Sequence, residues 1–155
     1  MSTVHLGILH SDVVANAISR YLANTYLLLL KTQNFHWNVT GENFYSLHGL
    51  FELQYTELQA AVDELAERIQ KLGKVVPASF ASFAGVADLK ESMGSPAAME
   101  MVAILLKDHE RMSCLGREFI AIAQTEKDEA TADLLVTRLH AHEKAAWMLR
   151  ATLQK

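Results

Sequence analysis

Between Leu47 and Leu72 the residues Leu47, Phe51, Leu58, Val62, Leu65, Ile69 and Leu72 recur at helical spacing, and Gly73 closes the run. At 3.6 residues per turn these side chains share one stripe of an amphipathic helix about thirty residues and about 45 Å long. A single stripe of that length buries itself only against other long helices, so the segment constrains the chain to a helical bundle. The rest of the sequence supplies the partners. Val14, Ile18, Leu22 and Leu29 predict a first helix over 11–37, with Arg20, Asn24 and Lys31 on its other side and Ser11 or Asp12 as its cap. Thr40-Gly41-Glu42-Asn43 interrupts the pattern before the second helix, placed at 43–72. Two further helices are expected over 96–124, opened by Pro96, and 128–153.

The segment 73–95 contains Pro77, Gly85 and Gly94 and is too long for a tight turn. Twenty-odd extended residues can run back along a helix of about 45 Å, so this link reads as a crossover, with one short helix in FASFAGVADLKES. The expectation is an all-α chain with residues 1–155 in one domain, without internal repeats. Half of its 155 residues are apolar, enough for a sizeable core without disulfide or metal staples.

Charge and cysteine usage narrow the function classes. The net charge is −4 and the first basic residue is Arg20, so no basic N-terminal arm is present to neutralise phosphates. Direct DNA binding is therefore not expected, except where divalent cations bridge the two. The lone Cys114 has no partner for an internal disulfide and suits a reducing, cytoplasmic setting. Residues 1–12 lack signal-peptide character, and the YLLLL run at 26–30 ends too soon to span a bilayer, so no membrane role is expected.

Chemistry concentrates on the second helix. Measured around its axis from His48, Glu52 falls near about 40°, Gln59 about 20°, Asp63 about 60° and Glu67 about 100°, one polar strip flanking the core residues. His48 with Glu52, and Asp63 with Glu67, are each one turn apart, a spacing at which imidazole and carboxylate can chelate a divalent metal. From position 48 to 63 the axial distance is about 22 Å, against metal-ligand bonds of about 2 Å, so the pairs cannot meet within one helix. An antiparallel copy related by a two-fold axis near 56–59 would bring them together, two equivalent sites per dimer. His36 lies within about 40° of Ile18, Leu22 and Leu29 on the first helix and can reach the same place. Two imidazoles and three carboxylates suit Fe(II), with Mn(II), Co(II) and Zn(II) as competitors. The alternative reading is structural: solvated carboxylates on a helix flank and a hydrogen-bonded core histidine.

The stretch HWNVTGENFYSLH at 36–48, the acid four residues later, DELAER at 63–68 and HEKAAWMLR at 142–150 resemble the Dps family, the miniferritins. The resemblance covers nearly the whole chain. It implies a ferritin-like four-helix bundle with a long crossover containing a short helix, assembled as a dodecamer. It also implies ferroxidase sites between two-fold-related chains: His36, His48 and Glu52 from one subunit, Asp63 and Glu67 from the other. Glu52 departs from the aspartate common in the family. The implied activity is oxidation of Fe(II), with hydrogen peroxide preferred over oxygen, and storage of Fe(III) mineral in a hollow shell that protects the cell from oxidative damage. Trp37 resembles a site-side tryptophan able to trap radicals, and Asp128, Glu129 and Asp133 resemble acidic pore residues. The alternative is a DNA-condensing or structural shell with weak ferroxidase activity or none.

Other signals carry less. His140 and His142 cannot share one helix face, and salt bridges or packing account for them. His5, His10 and Asp12 could form an accessory N-terminal site. The methionines suit core and interface gaps. No E-x-x-H occurs in the chain, which argues against a di-iron centre inside a single bundle.

Overall fold

The computed structural model describes residues 5–154 and is helical throughout its regular structure. Helix α1 spans Ser11–Asn38, α2 Phe44–Lys71, α3 Phe80–Val86, α4 Ala98–Thr125 and α5 Glu129–Leu153. The four long helices form a bundle in which α1 packs mainly on α2 and α4 mainly on α5, while α1 also meets α4. The link between α2 and α4 carries α3, which lies against α1. This is the all-α bundle with a helix-bearing crossover that the periodicity predicts.

The ends of the helices follow from local chemistry. Gly73, at φ 79°, takes the left-handed conformation after α2; its N–H donates to the Gln70 carbonyl and that of Lys74 to the Ile69 carbonyl, a Schellman closure. The same closure ends α4, where the N–H of Lys127 reaches Gln124 and that of Asp128 reaches Ala123, but there the left-handed residue is Lys127, at φ 60°. Ser79 caps α3 by accepting from the Ser82 N–H at 3.1 Å. At the start of α1 the cap position falls to His10, with no side-chain cap bond, and Ser11 is already helical; neither Ser11 nor Asp12 caps it.

The core is the expected stripe continued across four helices. Ile18, Tyr21 and Leu28 of α1 meet Phe51, Leu58 and Leu65 of α2, Leu105 and Leu115 of α4, and Leu135 and Leu149 of α5, all with no more than trace exposure. Helix α1 is long and apolar enough to cross a bilayer, but 56 % of its most apolar window is buried in the bundle, which accounts for that composition. The α2 strip of Glu52, Gln59, Asp63 and Glu67 is exposed, so the bundle holds its candidate ligands at its surface.

Candidate metal centre

Residues 39–43 turn the chain between α1 and α2. Gly41 supplies a φ of 101° that a side chain would strain, and its carbonyl accepts from the Phe44 N–H at 3.0 Å. That turn brings His36, in the last turn of α1, onto His48, in the second turn of α2. The rings stack with centroids 3.7 Å apart and planes 17° from parallel. Tyr55 meets the His36 ring edge-on at 5.1 Å, and Phe44 stacks beyond His48 at 5.0 Å.

The two histidines hold each other reciprocally. Nδ1 of His36 lies 2.8 Å from the His48 carbonyl oxygen, and Nδ1 of His48 lies 2.8 Å from that of His36. A carbonyl oxygen only accepts, so each Nδ1 must carry a proton, and in the neutral form of such a ring it is Nε2 that keeps the bare lone pair. Orientation of a ligating histidine through its other nitrogen is the usual way a metal site fixes tautomer and direction. His36 is almost wholly buried and His48 partly so.

The carboxylates are placed differently. Glu52 is exposed one turn beyond His48, while Asp63 is exposed about 22 Å from His48 along the same helix axis and Glu67 one turn further. Glu67 has only a loose contact with Lys71 at 3.9 Å, with both side chains more than 60 % exposed, an interaction worth little. Among the described residues no group of three or more His, Cys, Asp or Glu side chains gathers within one chain. The fold therefore brings together His36 and His48, sets Glu52 beside them, and leaves Asp63 with Glu67 as a separate pair.

Apolar surface lies beside the second pair. Val62 and Ala66, flanking Asp63 and Glu67 in sequence, line a recess of about 400 Å³ with Tyr26 and Phe80. An adjoining recess of about 390 Å³ includes Trp37, which is 63 % exposed, and Met93, which is 86 % exposed.

Of the three acidic residues near α5, Asp128 is not a free ligand. It is buried and caps the helix: the Thr131 N–H donates to it at 2.9 Å and the Thr131 hydroxyl at 2.6 Å, and the Arg68 guanidinium donates at 2.8 and 2.9 Å to its two oxygens. Burial pushes the Asp128 carboxyl up, but these hydrogen bonds from Thr131 and Arg68 outweigh it and hold the group below the ordinary carboxylate value. Its acidity serves the α4–α5 corner, whereas Glu129 and Asp133 are exposed one turn apart. The N-terminal candidates are likewise dispersed: His10 Nδ1 lies 2.7 Å from Glu126, Asp12 lies 3.9 Å from Lys74, and His5 is exposed.

Sequence reasoning missed a polar cluster in the bundle interior. Gln54, His109, Arg138 and His142 are buried, and Nδ1 of His109 lies 2.8 Å from Nδ1 of His142. The Arg138 guanidinium pairs with Glu57 through both terminal nitrogens. Burial, with the Arg138 charge adding to it, pushes the His109 imidazole down to about 3. His142 moves the same way, from burial first and then from His109 and Arg138. The signal was available: His109 sits four residues after Leu105 and three before Met112, and Gln54 three after Phe51 and four before Leu58, all core positions.

The chain matches the ferritin-like domain family over residues 15–155. It is 40 % identical over 145 residues to a DNA protection during starvation protein of Brevibacillus brevis, covering 92 % of this chain and 96 % of that one. It is 41 % identical over 143 residues to an uncharacterized low temperature-induced protein of a Nostoc species, covering 91 % and 80 % of the two chains. Among solved structures, Dps from Bacillus brevis superposes with a TM-score of 0.90 at 38 % identity, covering 93 % of this chain and 97 % of its own. Dps from Vibrio cholerae, described as a member of a broad superfamily of ferritin-like diiron-carboxylate proteins, superposes with a TM-score of 0.91 at 32 % identity and covers 99 % of both chains.

Proposed function

The chain belongs to the Dps family of ferritin-like proteins, and on that footing we propose that it is an iron-sequestering ferroxidase acting at sites shared between two copies. One domain carries the activity. Two-fold-related chains assemble into a hollow shell of twelve, in which His36, His48 and Glu52 of one copy face Asp63 and Glu67 of another. The observation that carries this reading is the reciprocal His36–His48 arrangement: two oriented Nε2 atoms that, among the described residues, have too few neighbouring carboxylates to complete a site.

Iron is substrate and cargo here. The two Nε2 lone pairs are borderline donors that suit Fe(II), and the carboxylates favour the more highly charged Fe(III), so the mixed set helps the electron leave. Hydrogen peroxide is the preferred oxidant: two Fe(II) each give one electron, peroxide takes both together with two protons, and two waters form. Matching two one-electron oxidations to one two-electron reduction avoids releasing hydroxyl radical. Trp37 intercepts stray oxidising equivalents, a role supported by its exposure beside an apolar recess. Fe(II) enters past Glu129 and Asp133, and Zn(II), Mn(II) or Co(II) compete for the same ligands. The extra methylene of Glu52, relative to aspartate, changes how tightly the carboxylate can close on a second iron.

Such a shell works in the cytoplasm, where it withdraws iron and peroxide together and so limits oxidative damage. With a net charge of −4, contact with DNA runs through divalent cations rather than directly. Stopped-flow absorbance after mixing the metal-free protein with Fe(II) and peroxide tests the activity. A Fe(III) signal well above the protein-free control is expected, and its absence refutes the enzymatic reading. An anaerobic Fe(II) soak with anomalous diffraction tests the site; iron is expected between His36 and His48 of one chain and Asp63 and Glu67 of another, and iron elsewhere refutes the assignment.

A further inference from the structure

Five side-chain atoms in the bundle interior are buried without a hydrogen-bond partner among the described residues: both amide atoms of Gln54, Nε2 of His109, Nε2 of His142 and Nε of Arg138. Their chemistry can be worked out from the contacts they do make. The 2.8 Å approach of the two Nδ1 atoms requires one to donate and the other to accept, so the two rings carry opposite tautomers. One ring therefore presents a bare Nε2 and the other an Nε2–H. Together with the Gln54 carbonyl, the Gln54 amide hydrogens and the Arg138 Nε–H, the unmatched set offers both acceptors and donors. A buried polar group left without a partner is costly, and five of them together would offset much of the stability of an ordinary domain. Something must complete these bonds.

Space exists beside three of these atoms, the two of the Gln54 amide and Nε2 of His109. A recess of about 200 Å³ between α2, α4 and α5 is lined by Gln54, Glu57 and His109 together with Leu53, Ala145 and Met148. Water occupies about 30 Å³ in the liquid, so the recess admits several molecules of that size. A metal cation does not fit: only one of the two imidazoles has a bare Nε2, the Arg138 charge stands beside both rings, and no third ligand joins them. An anion does not fit either: the Glu57 carboxylate lines the recess and already takes both terminal nitrogens of Arg138, and the Lys144 ammonium on the same wall is solvent-exposed and so offsets that charge weakly. An apolar ligand would leave every unmatched group unmatched.

We propose that the seam between α2, α4 and α5 is a binding site for a small neutral hydroxylic molecule, water or hydrogen peroxide, held by the Gln54 amide and His109 Nε2. Such a molecule donates and accepts at once, which is what the mixed set requires. The site lies within one chain and stands independently of the iron-oxidation reading.

Crystals of the metal-free protein, diffracting well enough to resolve single waters, test this with and without a peroxide soak. Non-protein density within hydrogen-bond distance of the Gln54 amide and His109 Nε2 is expected. A round peak in both crystals assigns water, and a peak elongated by the soak assigns peroxide. A recess without density, an anomalous metal signal or a halide there overturns the proposal. Nitrogen-15 NMR of the imidazoles gives a second reading on the unaltered protein: one ring should be the Nδ1–H tautomer and the other Nε2–H, and two rings in one tautomer would overturn the donor and acceptor count. In a Gln54→Leu variant the density should disappear; density that persists unchanged removes Gln54 from the site.

Discussion

If each oxidation site is split between two chains, two inactive variants should restore activity when assembled together. One variant carries His48→Ala and Glu52→Ala and lacks the first half-site; the other carries Asp63→Ala and Glu67→Ala and lacks the second. The structure makes both changes tolerable, because Glu52, Asp63 and Glu67 are exposed and His48 loses one hydrogen bond, worth about 1 kcal/mol. In a shell of either variant alone, every site joins an intact half to a damaged one, and rapid oxidation should vanish. In a mixed two-fold dimer, one site joins both damaged halves and the other joins both intact halves. Random pairing makes about half of the dimers mixed, so about a quarter of all sites are whole and the initial rate should recover to about a quarter of the unaltered protein's. Co-expression with two affinity tags, sequential purification and native mass spectrometry establish the mixing, and stopped-flow absorbance gives the rate. Confirmed mixed shells with no recovered rate would falsify the shared site. The separation of about 22 Å between the half-sites rules out rescue within one chain of this fold.

Three further outcomes follow from the interior and the corners. Burial and the neighbouring Arg138 keep His109 and His142 neutral, whereas the unfolded chain protonates both below about pH 6.5. Stability is therefore full above that pH and falls as pH drops toward 3, by up to about 1.4 kcal/mol per pH unit for each histidine and on the order of 5 kcal/mol in all from His109. Asp108, raised by burial against the pull of Lys31, works in the opposite direction as pH falls. Urea unfolding between pH 7 and 4 should show the decline, and a flat profile refutes the neutral pair. Replacing Lys127 by glycine should stabilise the chain by about 1 kcal/mol, because the left-handed residue after α4 then carries no Cβ; an unchanged or lower melting temperature refutes it. Arg68→Ala strands the buried Asp128 carboxylate and should cost about 3–5 kcal/mol in urea unfolding, far more than Lys71→Ala on the exposed side of the same helix.

The fold was legible because the forces that specify it are periodic. Leu47, Phe51, Leu58, Leu65 and Ile69 recur at the helix repeat, and burial acts on each in the same way. Helix starts were less legible. Ser11 and Asp12 are good caps by type, yet α1 starts one residue earlier, with His10 at the cap and held to Glu126 across the bundle end, a contact that no local pattern encodes. Asp128 shows the same limit from the other side. An acid at a helix N-terminus reads as free charge in sequence, and only the approach of Arg68, sixty positions away, turns it into a buried pair.

The candidate site divides along that line. The spacing of His48 from Glu52 and of Asp63 from Glu67 follows from the helix itself, so sequence could locate both pairs and show that they stand too far apart to meet. What it could not supply is the state of the ligands. Whether a histidine offers Nδ1 or Nε2 depends on which nitrogen finds an acceptor, and for His36 and His48 that acceptor is the other residue's own backbone carbonyl. The core pair supplies the contrast. His109 and His142 point nitrogen to nitrogen, so at most one of them keeps a bare Nε2, and no carboxylate stands free beside them. Two histidine pairs in one chain thus have opposite chemical capacities: the pair at the α1–α2 turn presents two lone pairs to an incoming cation, and the pair in the core presents one lone pair and one proton, which suits a neutral molecule. Backbone geometry makes that difference, through a turn at Gly41 that sets two helix ends against each other.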